Sequence, residues 1–154
     1  MQEFDRNPGA VAVDALSAPR NGRAAPAAPG GNPHYDAIGG EVAVRRLVER
    51  FYQLMEELPQ ARDIRALHPS DLAETKERFF LFLSGWLGGP PRYAERFGHP
   101  RLRQRHMPFP IGDAERDAWM ICMTRALDEE VADERLRAQL ITAFFKTADF
   151  LRNR

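Results

Sequence analysis

The stretch Gly98-His99-Pro100-Arg101-Leu102-Arg103-Gln104-Arg105-His106-Met107-Pro108-Phe109-Pro110 concentrates residue types able to do chemistry. Pro100 suits the first turn of a helix, and Pro108 pushes Met107 out of the α region. The spacing therefore predicts a helix of about two turns with His106 in its last turn. Leu102 then shares a face with His106, and its carbonyl is within reach of the imidazole Nδ1 proton. That bond would leave Nε2 to ligate a metal, the usual way a ligand histidine is oriented. Arg103 and Arg105 flank the histidine, and guanidinium groups suit a pair of carboxylates. Local chemistry alone leaves open the alternative of a solvated histidine between two arginines. The single cysteine, Cys122, lies among Met120, Ile121 and Met123 and reads as a buried, inert thiol that no internal disulfide can engage.

Four amphipathic helices supply the elements that must position these groups. Val44, Leu47, Val48, Phe51, Tyr52 and Met55 recur at the spacing of one helix face, which predicts a helix over 41–57 opened by Gly39-Gly40. Leu72, Thr75, Phe79, Phe80, Leu83 and Leu87 predict a second over 71–86, stopped by Gly88-Gly89-Pro90-Pro91. A third is expected to start at Asp113 as its cap, with Glu115 in the first turn, carrying Ala118, Trp119, Cys122 and Ala126. The fourth runs over 133–152 through Leu136, Leu140, Ala143, Phe144, Thr147, Ala148 and Leu151. No segment alternates with a period of two beside hairpin residues, so the fold class is all-α. Residues 1–33 are crowded with Ala, Pro and Gly and are expected to form a disordered extension, with a short helix possible from Phe4 to Leu16. The folded domain then covers 34–154.

The segment GGPPRYAERFGHPRLRQRHMPFPIG, followed by Glu115-Arg116-Asp117-Ala118-Trp119, resembles the truncated haemoglobins of group II, the group with a tryptophan on its G helix. The resemblance begins at Tyr35-Asp36-Ala37-Ile38-Gly39-Gly40 and covers roughly 34–152. It implies a two-over-two helical sandwich around haem, with the four periodic helices as B, E, G and H. It further implies haem b (iron protoporphyrin IX) with His106 as the proximal iron ligand. On the distal side it implies Tyr52, whose hydroxyl can donate to bound dioxygen, and Trp119, whose indole N–H can only donate. Ordinary core packing is the plainer reading of each. Thr75 and Phe79 match positions that close the pocket. Many haemoglobins carry histidine where Thr75 stands, so hydrogen bonding must come from Tyr52, Trp119 or elsewhere.

The elsewhere is His68, at a corner where Phe or Tyr is commoner. It could bond the ligand, swing to the iron as a sixth ligand, or simply be an exposed loop residue before Pro69. A vacant or water-bound sixth position is expected. Phe97, Leu102, Met107, Phe109 and Met123 are expected apolar haem neighbours, though core packing would also account for them. Arg103 and Arg105 would meet the haem propionates. His34 and His99 are assigned no chemistry.

These expectations define an oxygen binder or carrier, also open to CO and NO, or a protein of nitric oxide or peroxide redox chemistry. No flavin or nicotinamide fingerprint is present, so multi-turnover redox work would need an external reductase. The rival is a haem-less helical interaction or regulatory module, against which the joint presence of His106, Tyr52 and Trp119 argues. Acidic and basic residues number 22 each, which leaves no net field for nucleic acid or an anionic membrane. The amino terminus has no secretory pattern and no long apolar run follows, so a cytoplasmic protein is expected, with monomer and homodimer both open.

Overall fold

The computed structural model describes residues 34–154, so the extension expected over 1–33 lies outside the described residues. The chain forms α1 (His34–Ile38), α2 (Gly40–Glu57), a 3-10 turn (Pro59–Ala61), α3 (Arg62–Ala66), α4 (Ala73–Trp86), α5 (Arg92–Phe97), α6 (Leu102–His106), α7 (Asp113–Glu130) and α8 (Glu134–Phe150). No strand occurs among the described residues. The long helices pack as two pairs, α2 with α4 and α7 with α8, and α2 crosses α7 to join them. The all-α expectation agrees with this arrangement, and each helix boundary that the periodicity gave lies within two residues of the observed one.

Burial follows the apolar stripes. In α2 every expected stripe residue is buried, together with Leu54. The α4 stripe is buried too, and Leu81, Phe82 and Ser84 are covered in addition. The extra cover has a local cause: α5 lies against α4, with Phe82 and Tyr93 edge to face at 6.1 Å. Phe51, Trp119 and Phe144 bring α2, α7 and α8 together, with ring centroids 5.0 Å apart for Phe51–Trp119 and 5.7 Å for Trp119–Phe144. Each such aromatic pair adds about 0.5–1.5 kcal/mol beyond its buried area.

Two helix starts differ from expectation. Asp113 is the first residue of α7, and the preceding Gly112 is the cap. Glu115 causes the shift by turning back to accept the Gly112 N–H at 2.8 Å. Pro100 lies outside α6, which begins only at Leu102 because Arg101 adopts left-handed backbone with φ 52°, and Met107, expected outside the α region before Pro108, keeps helical backbone with φ −56° and ψ −35°. By contrast Asp133 caps α8 as a short acceptor should, taking the N–H groups of Arg135 and Leu136. Gly39 at the start of α2 has φ 121°, and a Cβ there would lie 2.8 Å from that of Ala43.

Candidate functional site

His106 is the last residue of the short α6 and is only 2% exposed. Its Nδ1 lies 2.8 Å from the Leu102 carbonyl oxygen, which can only accept. Nδ1 therefore carries the proton in the neutral ring and Nε2 the lone pair. This is the geometry that the four-residue spacing predicts. His99, assigned no chemistry from sequence, acts locally on the backbone, where its Nδ1 accepts the Arg101 N–H at 3.0 Å just before α6 starts.

A second group of side chains converges from α2, α4, α7 and the link after α3. Tyr52 and Phe79 are fully buried, and their rings meet edge to face at 6.0 Å. Phe79 also lies 6.3 Å from Trp119, and Tyr52 lies 6.0 Å from His68. Thr75 sits one turn before Phe79 on the buried face of α4. Trp119 Nε1, Thr75 Oγ1 and His68 Nε2 are all buried without a hydrogen-bond partner. Leaving such a group unsatisfied costs about 1–3 kcal/mol, so three in one region is a costly arrangement.

The role open to His68 is narrower than its residue type suggests. It is buried rather than exposed in a loop, and its Nδ1 lies 2.7 Å from the Ile64 carbonyl oxygen. As at His106, this places the proton on Nδ1 and the lone pair on Nε2. Burial pushes its pKa down to about 4, against the raising effect of the Ile64 bond, with the Arg65 cation lowering it further. At neutral pH, then, His68 Nε2 accepts or ligates and does not donate. Donors must come from Tyr52, Trp119 and Thr75.

The remaining expected residues divide. Leu102 and Met123 are buried, while Phe97, Phe109 and Arg105 are half-buried. The Arg78 guanidinium covers the Phe97 ring at 4.3 Å. Met107 is 61% exposed. Arg103 is engaged on α8, donating to the Phe150 carbonyl at 3.1 Å and lying over the Phe150 ring at 5.0 Å. Cys122 is fully buried, and burial pushes its thiol up to about 11, as expected of an inert cysteine. Among the described residues no three His, Cys, Asp or Glu side chains cluster as a bare metal ion would require. A metal on His106 would have to arrive with other ligands of its own.

Sequence reasoning missed Ile64 as the acceptor that fixes His68, although the same four-residue spacing identifies Leu102. It also missed Asn153, whose amide reaches the chain around His106 from far along the sequence.

The sequence profile of the bacterial-like globins matches residues 33–153. Group 2 truncated hemoglobin YjbI of Bacillus subtilis is 41% identical over 122 residues, covering 79% of this chain and 89% of the relative. Among solved structures, the group II 2-on-2 hemoglobin of Agrobacterium tumefaciens superposes with a TM-score of 0.75 at 47% identity, covering 77% of this chain and 92% of that one. The cold-adapted truncated hemoglobin of Pseudoalteromonas haloplanktis gives 0.76 at 42% identity, over 78% and 97%.

Proposed function

The chain belongs to the bacterial-like globins and, within them, to the group II truncated haemoglobins, and we propose that its haem is held by His106 beneath a pocket that binds dioxygen. Binding of a diatomic gas at haem is the activity of this family and of this chain. The residue roles rest on one observation: the fold buries Trp119 Nε1, Thr75 Oγ1 and His68 Nε2 with their hydrogen-bonding capacity unused. A haem-free interaction module would gain nothing from that cost, whereas a polar gas ligand would use it.

When bound, haem supplies the iron that holds the gas and any redox chemistry. His106 would hold the group through Nε2, with the ring fixed by the Leu102 carbonyl. Trp119 and Thr75 would offer N–H and O–H donors to the gas. Phe79 fills space beside them and keeps water out. His68 offers an acceptor next to Tyr52, whose hydroxyl is able to donate to His68 or to the gas. The haem is proposed to be of the b type, because c-type thioether attachment uses cysteines in a Cys-x-x-Cys-His motif, and Cys122 is the only cysteine and is buried. Arg103, which also donates to the Phe150 carbonyl, and Arg105 are the proposed partners of the propionates.

Nitric oxide oxidation or peroxide turnover would call on an external reductase. A cytoplasmic location and a monomer or homodimer complete the reading. No helix among the described residues is long and apolar enough to cross a membrane. Haem titration of the purified protein tests the reading: a Soret band developing to one haem per chain is expected, and its absence would overturn the proposal.

A further inference from the structure

The five-residue α6 is too short to hold itself in place, since a helix that length closes hardly any internal hydrogen bonds. The segment after it carries Pro108 and Pro110, neither of which has an N–H to donate. Yet the ring of His106 is buried and directed. The Leu102 carbonyl turns the ring and the His106 carbonyl takes the Phe109 N–H at 3.0 Å, but these bonds are internal to the segment, and what holds the segment itself in place lies outside it.

The chain beyond α8 supplies that support. Leu151 is buried and anchors the carboxyl-terminal end. Asn153 then directs its amide to the segment that carries His106. Its Nδ2 donates to the His106 carbonyl at 3.2 Å and to the Phe109 carbonyl at 3.0 Å. Its Oδ1 accepts the Ile111 N–H at 2.9 Å, and its own backbone N–H donates to the Ile111 carbonyl at 2.8 Å. Three residues earlier, the Phe150 carbonyl accepts from Arg103. The last residue of α8 therefore holds α6 through Arg103 near its start, and the chain beyond α8 holds it through His106 at its end. Both hydrogens of the Asn153 amide are used in this way.

We infer that Asn153 is a positioning residue for the proximal ligand: by fixing the main-chain carbonyl of His106 and the loop after it, it sets where the imidazole stands. This rests on the reading of His106 as the iron ligand. Displacing outer-shell partners of a metal ligand typically lowers metal affinity by roughly 10- to 100-fold, and an indirect tie belongs at the lower end.

The test is the Asn153→Ala variant, loaded with haem and compared with wild type. The iron–histidine stretching band of the ferrous protein is expected to shift or broaden, and haem loss to an acceptor globin to speed up roughly tenfold. The carbonyl stretch of the CO complex reports the opposite side and should stay at its wild-type frequency. Hydrogen exchange at the Ile111 N–H should quicken in the same samples. Should Asn153→Ala fail to fold, Asn153→Asp carries the same test, because it keeps the acceptor for Ile111 and loses both donors. A band unmoved in position and width, with unchanged haem loss, would overturn the inference alone. A CO band that moves as much as the iron–histidine band would also overturn it, by showing general loosening. A wild-type protein lacking the iron–histidine band would overturn the reading of His106, and this inference with it.

Discussion

The two groups of side chains around the proposed haem are built in opposite ways. On the His106 side the supporting element is the five-residue α6, and its polar groups are matched: Nδ1 to the Leu102 carbonyl, and the His106 carbonyl to Asn153. On the Trp119 side the supports are three long, well-packed helices, α2, α4 and α7, and buried polar atoms are left unmatched. A permanent bond calls for a ligand whose orientation is settled in advance, and local hydrogen bonds do that at little cost. A transient ligand calls for groups that wait unsatisfied, and only a rigid frame can keep them from collapsing onto one another. His68 belongs to both designs, since one nitrogen is committed to Ile64 and the other is not.

The contrast is broken most severely at His106. His106→Ala should remove the protein's bond to haem, and we expect the Soret band to weaken and the haem to pass readily to an acceptor globin. Unchanged spectra would show that the iron is held elsewhere.

Acidification sharpens the other half. The unfolded His68 has a pKa of 6.5 and the folded one about 4, so the unfolded chain binds a proton that the folded chain refuses between those values. Stability is thus unaffected above pH 6.5 and falls as pH drops through the window, by on the order of 3 kcal/mol in full. Between about pH 7 and about pH 5 wild type should lose about 2 kcal/mol more than His68→Phe in denaturant unfolding. Equal losses would mean that His68 is not held neutral.

The smallest effect is expected from the amino terminus. A chain starting at Asn32 should load with haem like the full chain and melt within a few degrees of it, as both groups lie within 34–154. A loss of haem binding would tie residues 1–31 to the fold.

Much of this arrangement was legible in the sequence wherever the cause is local. The apolar stripes of α2 and α4 mark the helices because burial selects one face, and the His106–Leu102 bond follows from helix spacing. Features made by distant chain were not legible. Arg103 reads as a partner for carboxylates, and nothing near it in the sequence shows that it also donates to the Phe150 carbonyl, 47 residues away. Asn153 is one of several polar residues near the end of the chain, and nothing nearby marks it. The late start of α6 depends on a left-handed Arg101, a conformation that its residue type does not favour. The His68–Ile64 spacing was visible, but His68 lies beyond the end of α3 and before Pro69, where helical geometry cannot be assumed.

The central claim is that the unmatched Trp119 and Thr75 donors, together with the Tyr52 hydroxyl, serve a bound gas, and stopped-flow oxygen release from the ferrous protein tests it most directly. If Trp119, Tyr52 and Thr75 donate, each bond lost should cost on the order of 1–3 kcal/mol, or roughly 5- to 150-fold in release rate. Trp119→Phe, Tyr52→Phe and Thr75→Val should each release oxygen faster. Carbon monoxide, with less negative charge on its outer atom, should escape at rates changed far less. Oxygen release at the wild-type rate in all three variants would contradict the polar pocket, and with it the reason given for the cost of burying those groups.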